Sequence, residues 1–252
     1  MKYEVILTGK VIPERAMLSV SESHYNILGT AIATAGEMTL EIILNQIIAI
    51  YRSDEKPTDV ATLRNIVEDV TRTTLDGIGF LKGYGYDAEI TQAIILPTNE
   101  KYIFGIDIPT LYMLPEKAGL SLKDIMSLAT NISGHYIRRA LADLREATKC
   151  PVDTGFFCYR AIEALKNDYA VRAQIANSPE RKQWEAFRQH FGIDQNKVMK
   201  IKKIADPARH GNYNELTQIS GNTRDDILRE TWIMATAILL KLVTVQRSPS
   251  QV

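Results

Sequence analysis

The spacing of the hydrophobic residues changes once along the chain, near residue 112, and this change limits the folds that the chain can adopt. Before it, apolar residues mostly alternate with polar ones, which is typical of strands, and one segment has helical spacing. After it, apolar residues recur at helical intervals, which indicates amphipathic helices. Because strands and helices are segregated, we predict an α+β protein. The predicted parts are a mixed β-sheet with one long helix in residues 1–112, an all-α bundle of about five helices in residues 113–247 and a frayed tail in residues 248–252.

The N-terminal part begins with strand patterns. Alternation and β-branched residues predict strands over Met1–Val11, Ala16–Val20 and Tyr25–Ala35. Met38–Tyr51 is rich in Ile and Leu, and its spacing fits either a long strand or a helix.

One amphipathic helix follows these strands. It is predicted to begin with Thr58 or Asp59 as N-cap and to end near Lys82, where glycines follow. Charged residues such as Glu68 occupy the positions between its apolar ones. A hairpin with a Pro-Thr-Asn-Glu turn is predicted over residues 89–108.

Capping residues and prolines mark the helices of the C-terminal part. The predicted helices run from Ser121 to Thr148, from Asp153, from Ser178, from Asp194 to a stop at Pro207, and from Thr223.

Charge and cysteine content exclude several classes of protein. Lysines and arginines number 30 and aspartates and glutamates 30, so the chain is not a globally basic nucleic-acid binder. Two cysteines, Cys150 and Cys158, cannot form a disulfide framework or a four-cysteine zinc site. The four histidines are far apart in sequence. We therefore expect no metal and no cofactor.

Neither a leader nor a membrane span is expected. Glu4 interrupts the apolar start almost at once, unlike a signal peptide. The longest apolar stretch, Trp232–Val245, contains Lys241 and is too short to cross a bilayer. A cytoplasmic protein without membrane contact is the expectation.

Two short motifs in residues 120–244 resemble those of the HEPN superfamily of helical bundles. Tyr159-Arg160-Ala161-Ile162-Glu163-Ala164-Leu165 resembles its aromatic-Arg-x-x-Glu-x-Leu stretch, and His210-Gly211 resembles the end of its Arg-x4–6-His motif. The N-terminal half is similar to uncharacterised bacterial proteins, and no activity follows from that similarity.

The resemblance implies how a catalytic member would act. A dimer brings two Arg/His pairs together and cleaves RNA without a metal, since the histidine moves a proton and the arginine holds the phosphate. Here the positions expected for the arginine are Ala205, Ile204 and Lys203, of which only Lys203 is cationic and lacks the arginine fork. The catalytic candidates are therefore His210, Arg209 and Lys203.

The same residues also have a structural interpretation. Arg209 and His210 can cap the end of the fourth helix of the bundle and bond to Glu163 or another acid. Arg160 and Glu163 are three residues apart and share one helix face, either as an ion pair or with Glu163 orienting Arg209 or His210.

A local excess of positive charge lies beside the motif. Residues 181–209 contain eight basic residues against three acidic ones. Such a patch suits RNA, although a solvated helix face is the alternative. The candidate RNA- or phosphate-binding residues are Lys200, Lys202, Lys203, Arg209 and Asn212.

Two functions follow from these patterns. The first is a HEPN-like binding or assembly protein without catalysis, with RNA as candidate ligand. The second is a metal-independent endoribonuclease, a toxin or phage-defence effector, that uses His210 and Arg209. A homodimer through the bundle is expected for either, because related bundles pair in this way and because the last helix is apolar on nearly all sides, for example at Leu228, Trp232 and Val243.

Overall fold

The structure is a computed structural model that describes residues 2–29, 34–105, 108–131, 134–211 and 220–247. It divides the chain into two compact units, Met1–Ile106 and Asp107–Val252, and each unit has its own hydrophobic core. The boundary predicted at residue 112 falls just inside the second unit. Strands occupy the first unit and helices dominate the second, which confirms the predicted α+β class.

Within the described residues, unit 1 is a six-stranded sheet with one long helix. The sequence predicted a mixed sheet, but every described pairing is antiparallel. The strand order is β2-β3-β4-β1-β5-β6. The elements are β1 (Tyr3–Ile12), β2 (Val20–Ile27), β3 (Gly36–Ile43), β4 (Gln46–Ser53), α1 (Val60–Lys82), β5 (Asp87–Leu96) and β6 (Glu100–Ile103).

The core of unit 1 lies between one face of the sheet and α1. Side chains alternate along β1, so Val5 and Leu7 are fully buried while Ile6 between them is partly exposed. From α1, Leu63 and Val67 join the same core. Asp59 caps this helix by accepting a hydrogen bond from the Thr62 N–H, as the sequence predicted.

Two strand predictions in unit 1 are corrected. Met38–Tyr51 forms two strands rather than one long element, because Leu44 and Asn45 adopt left-handed conformations (φ 46° and 69°) and reverse the chain. Ala16–Val20 is not a strand: a short 3-10 helix ends at Ala16, and β2 begins only at Val20.

Asn45 joins the β3–β4 turn to the segment that follows β1. Its backbone N–H donates to Leu18 O at 2.8 Å, its side-chain Oδ1 accepts from the Leu18 N–H at 2.6 Å, and its Nδ2 donates to Glu14 O. Its carbonyl accepts from the Val11 N–H at 2.9 Å. With 4% of its surface exposed, Asn45 has partners for its buried polar groups.

Side chains of α1 bond part of the outer edge of β5, where β6 does not pair. Arg64 Nε donates to Ile90 O at 3.3 Å, Glu68 Oε2 accepts from the Ile90 N–H at 3.1 Å, and Arg72 Nη2 donates to Ala88 O at 3.1 Å. Glu68 also forms ion pairs of 2.7 Å with both arginines. We call Arg64, Glu68 and Arg72 the edge ladder; it replaces a neighbouring strand and blocks further pairing there.

Unit 2 is a helical bundle in which α5 is central and packs against α4, α6, α7 and α8. Its described helices are α2 (Leu114–Lys117), α3 (Leu122–Thr130), α4 (His135–Lys149), α5 (Thr154–Arg172), α6 (Glu180–Phe191), α7 (Gln195–Arg209) and α8 (Gly221–Arg247). None of the described helices is long and apolar enough to cross a membrane.

Three helix predictions in unit 2 are corrected. The segment Ser121–Thr148 contains two helices, because α3 ends before Asn131, which is extended (ψ 154°), and α4 begins only after Gly134. The sequence between them contains Asn, Ser and Gly, which are poor helix formers. Pro207 does not stop α7, since the His210 N–H still bonds to Asp206 O at 3.0 Å and closes the last turn. Helix α8 begins before Thr223, whose N–H is capped by the Ser220 hydroxyl.

Most apolar residues of α8 have partners inside unit 2. Leu228, Leu239 and Val243 are buried in its core, and Trp232 packs against that core. Ile233 remains 40% exposed. The apolar surface that motivated a dimer through the bundle is thus largely accounted for within one copy.

Candidate functional site

The motif residues of α5 lie beside the end of α7 because these helices approach closely. A Cβ on Gly155 would lie 2.6 Å from Ile204 Cγ2, so only glycine fits there without displacing α7. One and two turns further along α5 are Tyr159 and Glu163, which meet the C-terminal residues of α7.

Arg209 is held by three groups of its own unit. Its Nη2 lies 3.8 Å from Glu163 Oε1, its Nη1 lies 3.4 Å from Asp206 Oδ1, and its guanidinium carbon lies 4.8 Å from the centre of the Tyr159 ring. The side chain is 27% exposed. This arrangement matches the structural interpretation of Arg209, in which it bonds to Glu163.

The Tyr159 ring is part of a row of two aromatic rings with a cation at each end. Tyr159 stacks on Trp184 of α6 with centroids 6.0 Å apart, and Lys166 Nζ lies 5.2 Å from the Trp184 centroid. Trp184 Nε1 donates to Glu180 Oε1 at 3.3 Å, and that oxygen lies 4.0 Å from Lys166 Nζ. We call Arg209, Tyr159, Trp184 and Lys166 the cation–ring stack.

Burial sets the protonation behaviour of two members of the stack. It raises the pKa of Tyr159 to about 12, with the Glu163 carboxylate as the next cause, so this phenol stays neutral. Burial also lowers the pKa of Lys166, and the carboxylates of Glu180 and Glu163 oppose that change. The side chain of Lys166 is only 5% exposed.

His210 and Lys203 lie outside the stack. His210 is the C-cap of α7 and is exposed, and Lys203 is also exposed. They are two helical turns apart, about 10 Å along the helix axis. Among the described residues, Arg209 is the one catalytic candidate that contacts the motif residues of α5, and its contacts are to Tyr159 and Glu163.

The lysines of α7 differ in their partners. Lys200 lies 3.5 Å from Asp226 of α8. Among the described residues, no carboxylate lies within 4 Å of Lys202 or Lys203. Asn212, the remaining binding candidate, lies outside the described residues.

Arg160 and Glu163 contact different helices. Arg160 Nη2 lies 3.1 Å from Asp143 of α4, and its guanidinium lies 5.0 Å from the Phe156 centroid. Burial raises the pKa of Asp143, and Arg139 acts in the opposite direction. Of the two interpretations of this pair, the ion pair is replaced by a contact of Arg160 to α4, and Glu163 instead lies beside Arg209 of α7, as the other interpretation expected.

Sequence reasoning did not identify Lys166 or Trp184 as part of this site. The available signal was spacing, because Tyr159, Glu163 and Lys166 fall on one face of α5. Among the described residues, no group of three or more His, Cys, Asp or Glu side chains is arranged to hold a metal ion.

Comparison with known proteins finds two related matches. A family model described as "Domain of unknown function (DUF8168) N-terminal domain" matches residues 5–104, and one described as the C-terminal domain of DUF8168 matches residues 122–240. No curated protein and no solved structure matches the chain. The two matches follow one another in the order of the two units and together span well over half of the sequence, so the chain belongs to the DUF8168 family.

Proposed function

We propose that the helical unit is a non-catalytic binding module, HEPN-like in architecture, whose ligand is RNA. The observation that carries the non-catalytic part is the position of Arg209. Its guanidinium already contacts two carboxylates and the Tyr159 ring. A phosphate at this guanidinium would lie beside Glu163 and Asp206, and like charges repel.

A second argument concerns the histidine. Metal-free cleavage of RNA needs a proton-transferring group and a cation on the same phosphate. His210 is exposed, but the arginine next to it faces α5. Lys203, two turns away, is a single ammonium without the fork that orients a phosphate.

Binding of RNA is supported by two lysines of α7, Lys202 and Lys203. Lys202 and Lys203 have no carboxylate within 4 Å among the described residues, and both have side chains at least partly open to solvent. A polyanion would gain from contact with them by releasing bound cations, and such binding weakens steeply as salt rises. Contact with the phosphate backbone needs no base-specific groups.

The test uses the full chain and a fluorescently labelled single-stranded RNA. Anisotropy at several salt concentrations should give a dissociation constant that increases with salt, and Lys202→Glu with Lys203→Glu should weaken binding at least about tenfold. Lys123→Glu, an exposed charge reversal on α3, is the matched control and should change binding little. Binding that is equal in both variants would contradict the assignment to α7.

Incubation of the same RNA in EDTA tests the non-catalytic part. We expect intact RNA with wild-type protein. Cleavage that resists EDTA and disappears in His210→Ala would instead support the alternative function, a metal-independent endoribonuclease.

A further inference from the structure

The sheet of unit 1 has a second face, opposite the one that packs against α1. Strand register places one row of directly opposed residues across this face. From β2 to β6 the row is His24, Thr39, Ile50, Ile6, Ile94 and Lys101.

The middle of this face is apolar. Ile50, Ile6 and Ile94 are adjacent in the row, and Ile48 lies in the next one. All four are partly exposed, and none belongs to or packs against either hydrophobic core of the described residues. By contrast, Val5 and Leu7, the sequence neighbours of Ile6, point to α1 and are fully buried. A contiguous apolar strip of this kind on a regular surface is typical of an interaction site.

The face carries opposite charge near its two edges. Glu37 and Glu41 lie on β3, the second strand from one edge, and Lys101 lies on β6, the strand at the other edge. Among the described residues, none of these three has an ion-pair partner within 4 Å. Arg52, the cross-strand neighbour of Glu37, is 2.9 Å from Glu4, which leaves the acidic edge uncompensated.

A cavity of about 300 Å³ opens at the acidic edge. Its lining includes Glu37, Thr39, Ile50 and Arg52. It is large enough for a long side chain that enters from another molecule, and the nearby carboxylates favour a cationic one.

We propose that this second face is a self-association surface and that its occupant is a second copy of the chain, related by a twofold axis parallel to the strands. Such an axis keeps each row of residues at the same position along the strands and reverses the order of the strands. With the axis over β1, the isoleucines of one copy lie over those of the other. Lys101 of each copy then lies over β3 of its mate, between the rows that contain Glu37 and Glu41. A twofold axis across the strands would place acids over acids, so the charges select the first arrangement.

The size of the face fits a reversible dimer. Five strands overlap when β6 of one copy lies over β3 of the other. At about 4.8 Å per strand, with three rows about 7 Å apart, the overlap is roughly 500 Å² per copy. Doubling this value gives about 1,000 Å², the size of a weak, transient interface, so we expect dissociation in the micromolar range. Sheets packed with their strands nearly aligned are a common arrangement.

Sedimentation equilibrium of charge-reversed variants tests the proposal. Lys101→Glu places acid over acid, and the double variant Glu37→Lys with Glu41→Lys places base over base. The dissociation constant of each dimer alone should therefore be at least about tenfold higher than that of wild type. Mixed together, the two variants should pair again, because both contacts of the mixed dimer join opposite charges. Lys123→Glu, outside the sheet, should dimerise like wild type.

Removal of the apolar centre gives a second readout. Ile6→Thr keeps a β-branched side chain and therefore the strand, but it should weaken the dimer about tenfold with unchanged far-UV circular dichroism. A mass that stays at 28.3 kDa for wild type up to high micromolar concentration would overturn the proposal. Dimers that persist in the separate charge variants would also overturn it, since association would then use another surface. The outcome does not depend on whether the helical unit binds RNA.

Discussion

Replacing Glu68 by alanine removes the middle of the edge ladder from a buried position. Arg64 and Arg72 would keep their charges although only 23% and 19% of their side-chain surface is exposed, and the Ile90 N–H would lose its acceptor. Removal of one partner from a buried ion pair typically costs about 3–5 kcal/mol. We expect about 3 kcal/mol here, near the lower limit, because both guanidinium groups retain some contact with water.

A triple variant separates the ion pairs from the backbone bonds. Apolar replacement of a buried ion network is often neutral or stabilising, so Arg64→Met, Glu68→Leu and Arg72→Met together should be harmless if only the charges matter. The ladder also bonds Ala88 O, Ile90 O and the Ile90 N–H. Each buried polar group without a partner costs about 1–3 kcal/mol, so we expect the triple variant to lose at least about 3 kcal/mol.

Urea denaturation followed by far-UV circular dichroism measures these losses. Asp76→Asn, at an exposed acid on the same helix, is the control and should stay within about 0.5 kcal/mol of wild type. A triple variant as stable as wild type would show that the backbone bonds at the β5 edge contribute nothing net, and the reasoning would fail.

Three further changes have defined outcomes. Asn45→Asp keeps the acceptor for the Leu18 N–H but replaces the side-chain donor to Glu14 O. The free energy of unfolding, measured by chemical denaturation, should fall by about 1–3 kcal/mol, and a fall below about 0.5 kcal/mol would contradict the role of that donor. Gly155→Ala pushes a methyl group against Ile204 and should lower the melting temperature of the helical unit by several degrees, with a destabilisation of about 1–3 kcal/mol. The pKa of Tyr159 is about 12 in the fold against 10.0 as the ordinary value, so the unfolded chain loses this proton first and stability falls as pH rises. From pH 8 to 10.5, the free energy of unfolding of wild type should therefore fall by about 0.8 kcal/mol more than that of Tyr159→Phe, and equal falls would contradict the raised pKa.

Local signals predicted most elements of the fold. Asp59 and the glycines after Lys82 bound α1 because caps act within one turn of the chain. Alternation of apolar and polar residues predicted β1 and the β5–β6 hairpin, because alternation also depends only on residues close together in the sequence. The burial of Glu68 was not predictable from spacing. Its position on α1 is one of several charged positions between the apolar ones, and the Ile90 N–H that it binds belongs to a strand that comes later in the sequence.

The α3–α4 break shows a different limit. Apolar residues keep helical spacing on both sides of Asn131, so periodicity continues where the helix does not. A Cβ on Gly134 would lie 2.5 Å from Leu128 O, a close approach that a hydrophobic pattern does not record.

At the candidate site, sequence offered Glu163 as a partner for Arg209, and the two side chains lie 3.8 Å apart. It offered nothing that linked Trp184 or Lys166 to them. Helix spacing relates residues within α5, but the place where α6 crosses α5 depends on the packing of the whole bundle.

The cation–ring stack also makes the helical unit optically distinct. The chain has two tryptophans, Trp184 and Trp232, and both belong to unit 2. Light absorbed by tryptophan alone therefore excites only the helical unit. Trp184 lies between a phenol ring and an ammonium group, so its emission should respond to any separation of α5 from α6. The sheet unit contains tyrosines but no tryptophan, so its unfolding is followed by tyrosine or backbone signals, and the two units can be followed separately in one sample.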